Sequence, residues 1–318
     1  MMSDSKLIQM IFRGIALLLI FPAISRADYS LLKHADQVIN IEYASSLNEE
    51  ARQQTHHWLQ RVTDALRTVY GEWPNDSFGI TIKRSSSRGS PVPWGEVNRG
   101  DPTTVLLVIN PAFDFETLLK DWTAYHELSH LLIPYRGYGD LWFSEGLATY
   151  YQNIIQARNG AISEPDLWNK IASGFDRGHK QQQWPNITLT EVSENMYRYG
   201  NYMRVHWSGV HYWLTADLKL RRHSQNKLTL DTLLKKLKTC CENQSMSAEA
   251  LAGKLDQLAD MDMFMPMFID YRDSYAMPDY TATLLELGVV HNIYNDSISL
   301  TDDAPNAQIR KSIYKGGL

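Results

Sequence analysis

Four residues set the chemistry open to this chain. His126, Glu127 and His130 stand in the run His-Glu-Leu-Ser-His, and helical periodicity puts the two histidines on one face, about a turn apart. Two imidazoles at that spacing reach one zinc ion, and the glutamate beside them touches water next to the metal, where a general base belongs. Glu145, in the run Trp142-Phe143-Ser144-Glu145-Gly146-Leu147-Ala148, opens the next helical segment after a Pro/Gly-rich turn that lets it fold back. Two His and one Glu leave the fourth tetrahedral position of Zn2+ open, the pattern of a catalytic site and not a structural one.

The competing readings are surface histidines with a salt-bridging glutamate, and for Glu145 a carboxylate that only answers a helix dipole. The apolar neighbours Thr123, Ala124, Leu131 and Leu132 on one segment and Trp142, Phe143 and Leu147 on the other argue against both. Charged groups in such surroundings are costly unless a partner satisfies them.

Two kinds of element must position these residues. Gln37 to Tyr43 alternates as a strand, and Ser46 with Glu49 reads as a capping box before a helix carrying Trp58, Val62, Ala65, Leu66 and Val69 on one face. Phe78, Ile80 and Ile82 alternate again, and segments 91 to 98 and 104 to 109 flank a Gly100-Asp101-Pro102 turn as a hairpin or paired edge strand. From Phe115 the period becomes 3.6, with helices expected near 115–133, 141–158, 164–174 and 196–222, and shorter ones near 229–238, 247–258, 261–272 and 279–287. The expected fold class is α+β. A mixed α/β lobe spans 28–135 and ends in the histidine helix, a mainly helical lobe spans 136–296, and a loosely held tail spans 297–318.

The remaining composition narrows the setting. A net charge of −5 gives no basic surplus for a nucleic-acid backbone. Lys6 and Arg13 precede an apolar run from Ile15 to Phe21, with Ser25 and Ala27 as small residues ahead of a cleavage point. Residues 1–27 therefore read as a cleavable signal peptide, too short in their apolar run to serve as a membrane anchor, and the expected location is secreted or periplasmic. Cys240 and Cys241 read as two thiols at a helix end, a vicinal or intermolecular disulfide being the alternative. Metal ligands must then be nitrogen and oxygen.

The two motifs resemble the gluzincins, zinc metallopeptidases whose third ligand is a glutamate on a later helix, and are most similar to the glycyl aminopeptidase family. The likeness continues through EGLATYYQNIIQARNGAIS from Glu145, Gly209 with Asp217 and LKLRR, LTLDTLL at 228–234, and FIDYRDSYAMPDYTATLLELGV. It implies a thermolysin-like two-lobed peptidase acting on peptides or proteins, an aminopeptidase, without the PDZ module that usually follows.

At one position the chain departs from that pattern. His206 stands three residues before Gly209, where the family has a tyrosine that stabilises the oxyanion. His206 itself, or Tyr202 one turn earlier, is the expected donor, with Tyr199 a weaker candidate. Glu96 is an acidic residue on the edge segment able to hold an α-ammonium, or else a plain turn carboxylate. Loss of the donor would leave a catalytically impaired binding protein, and oligomeric state is open.

Overall fold

The computed structural model describes residues 29–316 apart from Arg88, Arg136, Tyr138 and Gln182. Residues 1–27, read above as a signal peptide, lie outside the described residues. The first lobe runs β1 (Tyr29–His34), β2 (Gln37–Tyr43), α1 (Glu49–Arg67), β3 (Ser77–Arg84), β4 (Trp94–Asn98), β5 (Thr104–Ile109), α2 (Phe115–Lys120) and α3 (Thr123–Ser129), closed by a 3-10 turn at His130–Leu132. The second runs α4 (Leu141–Arg158), α5 (Glu164–Lys180), α6 (Leu189–Glu194), α7 (Met196–Tyr199), α8 (Tyr202–His223), α9 (Leu230–Cys241), α10 (Ala248–Ala259), α11 (Phe264–Arg272) and α12 (Thr281–Glu286). A hairpin of β6 (Val289–Asn292) and β7 (Ser297–Leu300) and a last helix, α13 (Ala307–Lys315), follow.

The main sheet has the order β1-β2-β3-β5-β4, with β2, β3 and β5 parallel and an antiparallel strand at each edge. Alternation explains its packing: Ile39 and Ile41, Phe78, Ile80 and Ile82, and Val105, Leu107 and Ile109 all turn inward, in one core with Trp58, Leu59, Val62 and Leu66 of α1. β4 pairs from Trp94 opposite Val108 to Asn98 opposite Thr104, so the expected edge strand is present. β1 was not legible, because the run Tyr-Ser-Leu-Leu-Lys-His does not alternate apolar and polar residues.

Several boundaries differ from the sequence expectation. Helix α1 is capped by Asn48, whose Oδ1 accepts from the Ala51 amide at 2.9 Å, so the Ser46 capping box lies out of register. The single helix expected over 115–133 breaks at Asp121, which is extended and whose Oδ1 accepts from the Thr123 amide at 2.8 Å, starting α3 afresh. Gly200, at φ 67°, separates α7 from α8.

The tail is not loosely held. Arg310 of α13 is 2% exposed and its guanidinium reaches Glu164 at 2.9 Å and Asp302 at 2.8 Å, while Ile313 is buried. Cys240 and Cys241 are joined as a vicinal disulfide at the end of α9, which overturns the thiol reading.

Helix α4 is buried almost all round and forms the axis of the molecule. It crosses α8 at Gly146 and Gly209, so closely that a Cβ on either glycine would collide with the other helix. Beyond the crossing, Tyr150 donates to Asp217 at 3.1 Å and Tyr151 to Asp231 at 2.8 Å. Those carboxylates are balanced by Arg221 and Arg158, both at 2.8 Å. Arg221 is thus a structural residue, as is buried Arg204, which donates to the carbonyl oxygens of Ile187 and Ser274. Met263 and Met267 are core residues.

His211 of α8 gives a pH test of the helical lobe. Its Nδ1 lies 2.6 Å from the Tyr271 hydroxyl, and burial pushes its pKa down to about 4, with Asp279 opposing and His179 adding. The unfolded chain takes up that proton near pH 6.5 and the folded one only near 4, so the stability from keeping it neutral is complete above 6.5 and is lost as pH falls toward 4. The loss is on the order of 2–3 kcal/mol by pH 4.5. Unfolding free energies from urea titrations at pH 7 and 4.5 should differ less in His211→Asn than in the wild type by that amount, and equal differences would reject it.

Candidate active site

Three helices converge on one carboxylate oxygen. Oε2 of Glu145, in the first turns of α4, lies 3.2 Å from Nε2 of His126 and 3.6 Å from Nε2 of His130. The third approach is Nε2 of His206 on α8, at 3.8 Å. Ligand atoms of His126, Glu145 and His206 all fall within 4.8 Å of one another. The structure thus brings His126, His130 and Glu145 near one another, and His206 approaches the same carboxylate oxygen.

Each imidazole is turned toward that point by a neutral oxygen bound to its other nitrogen. Nδ1 of His126 donates to Oε1 of Gln152 at 2.8 Å; Nδ1 of His130 lies 3.2 Å from the Ser144 hydroxyl. Nδ1 of His206 lies 3.1 Å from the Thr149 hydroxyl. Such partners set the ring and tautomer of a metal-bound histidine. All three oxygens come from α4. Arg99, which no sequence motif marks, holds the end of the histidine helix by donating to the His130 carbonyl at 2.6 Å and to that of Ile133 at 3.3 Å.

Burial works against the Glu145 carboxylate, but the neighbouring His130, His126 and His206 outweigh it and hold its carboxyl well below the ordinary range. Burial likewise lowers His126, and the hydrogen bond and charge of Glu145, with Glu127, overcome this and raise it. His206 goes the other way: burial brings it down to about 4, against the pull of Glu145. Glu127 is raised, first by burial and then by Glu145 and Glu96, with His126 and His130 opposing.

The cluster opens into a cleft of about 940 Å³ whose lining includes Glu127, Glu96, Tyr202 and His206. Along one side runs edge strand β4, and a Cβ at Gly95 would collide with the Glu127 side chain, so strand and base are in direct contact there. Glu96 is exposed on the same strand. Trp94, Trp122 and Tyr197 stand exposed at the rim. Tyr202 packs edge-on against Tyr197, whereas Tyr199 turns to Trp184 and is not among the cleft residues.

This arrangement has relatives. The M61 glycyl aminopeptidase family matches residues 136–227, which takes in Glu145, Tyr202, His206 and Gly209. Among solved structures, an aminopeptidase N family protein from Idiomarina loihiensis superposes with a TM-score of 0.61 at 18% identity, over 83% of this chain and 50% of that one. A mutant M1 zinc metallopeptidase from Deinococcus radiodurans, bound to a Tyr-Ser-Ala substrate, superposes with a TM-score of 0.50 at 14% identity, over 79% and 52%. This chain thus spans about half the length of either. No curated protein sequence matches it. The chain has the two-lobed fold shared with M1 zinc metallopeptidases, and residues 136–227 are similar to the M61 glycyl aminopeptidases.

Proposed function

We propose that the chain is an exported zinc-dependent peptidase that removes residues from the amino ends of peptides. The observation that carries this reading is the convergence of His126, His130 and Glu145 on one point, with Glu127 beside it in an open cleft. Three imidazole nitrogens around one carboxylate oxygen, each ring satisfied at Nδ1, form a nitrogen and oxygen donor set that suits Zn2+. His126, His130 and Glu145 would hold the ion, which when bound would polarise the scissile carbonyl and acidify a water.

The chain's own residues do the rest. Glu127 takes a proton from the attacking water as the oxygen–carbon bond forms, then delivers it to the leaving nitrogen as the carbon–nitrogen bond breaks. Its raised pKa places it closer to that task than an ordinary carboxylate. Tyr202, on the face of α8 that lines the cleft, supplies a hydroxyl to the carbonyl oxygen. Glu96 pairs with the free α-ammonium of the substrate. Export rests on the N-terminal features of residues 1–27.

Zinc stoichiometry together with cleavage of one peptide in free and N-acetylated form tests the reading. The free peptide should be trimmed from its amino end and the blocked one refused. Glu96→Gln should lower kcat/KM on the free peptide by roughly 10- to 100-fold, the equivalent of a charge-assisted hydrogen bond of about 1.5–3 kcal/mol. Equal cleavage of both peptides would assign internal cutting instead, and a protein that takes up no zinc would reject the whole reading.

A further inference from the structure

His206 shares two geometric features with His126 and His130. Its Nδ1 is bound by a hydroxyl of α4, and its Nε2 faces the oxygen faced by the other two. That nitrogen is only 0.2 Å farther from Glu145 Oε2 than the Nε2 of His130, at 3.8 against 3.6 Å. Donor atoms around a tetrahedral zinc with bonds of about 2.0–2.1 Å lie roughly 3.3 Å apart; the ligand atoms of His126, Glu145 and His206 already lie within 4.8 Å of one another, and His130 Nε2 lies 3.6 Å from the same Glu145 oxygen, so closing on one ion takes side-chain adjustment and no movement of the helices. A tyrosine at this position would carry its hydroxyl on a longer ring. The imidazole is shorter and stays within the cluster.

We propose that His206 is a third imidazole ligand, so that the resting protein holds its metal with four side chains, His126, His130, Glu145 and His206. This builds on the zinc reading above and moves His206 from oxyanion donor to metal ligand, leaving the donor role to Tyr202. Four protein donors fill a tetrahedron. The reactive position then opens in one of two ways, by expansion to five donors or by release of His206 toward Thr149. The chain differs in this from a site with two histidines and a glutamate, where a water already occupies the fourth place.

X-ray absorption at the zinc edge of the full-length zinc-loaded protein counts imidazoles directly, and a chelator competition gives the affinity. The expected count is three in the wild type and two in His206→Phe. Affinity in that variant should fall by more than the roughly 10- to 100-fold that loss of a ligand's orienting partner costs. Thr149→Val, which keeps the volume and removes only the hydroxyl, should weaken zinc binding by about 10- to 100-fold, and it carries the test if the phenylalanine variant does not fold. Two imidazoles in the wild type, or unchanged affinity in both variants, overturns the inference while the zinc site itself stands. A wild type that binds no zinc overturns both.

Discussion

Glu127→Gln should lower kcat by about 100- to 10,000-fold while zinc content stays at the wild-type level. The size follows from what a positioned base contributes, and the retention of metal follows from geometry. Glu127 is not among the three residues whose ligand atoms gather within 4.8 Å, and its side chain instead lies against Gly95 of the cleft wall. Glutamine has the same shape and fills that contact, so the fold is unchanged and only the proton acceptor is gone. The pH profile adds a signature. Because Glu127 works as the carboxylate, wild-type activity should fall on acidification along a limb that the residual activity of the variant lacks. Turnover of a peptide pool, metal content and the pH–rate curve are the measurements. A zinc-loaded variant with full activity would show that the proton leaves by another group.

Gly209→Ala should destabilise the metal-free protein by at least the roughly 1–3 kcal/mol typical of overpacking, and should weaken zinc binding at the same time. The added methyl has nowhere to go: it would collide with the carbonyl oxygen of Trp142 and with Cα of Gly146, both backbone atoms of α4. Backbone cannot rotate aside as a side chain does, so α8 must shift away from α4. His206 lies one turn earlier on α8 and moves with it, away from Thr149 and from Glu145. Urea midpoints and chelator competition on the same preparations report both effects. Wild-type stability in this variant would mean that the two helices separate freely.

The closeness of His126, His130 and Glu145 was legible in the sequence because its information is local. A helix period fixes His126 and His130 on one face whatever the rest of the chain does, and apolar neighbours around Glu145 raise the cost of an unpaired charge. The oxygens that aim the imidazoles were not legible. Ser144, Thr149 and Gln152 look like any polar residues on a helix, and only the docking of α3 and α8 against α4 gives them a role. Arg99 escaped for the same reason, since its acceptors are backbone carbonyls some thirty residues on. The core strands were legible through alternation. The break at Asp121 was not, because a side-chain cap inside a continuous helical pattern leaves no mark on the hydrophobic period. The tail misled for a related reason: its acidic residues suggested solvent, whereas Asp302 serves the buried Arg310.

The origin of the aiming oxygens bears on how the two lobes stay together. His126 and His130 belong to the end of the sheet lobe, Glu145 and His206 to the helical lobe, so the point where they meet is a seam between the two lobes. An ion placed there acts as a rivet. Its binding free energy is available only while the seam is closed, so metal concentration should set how often the lobes part, and loss of the ion would loosen their docking before either core melts.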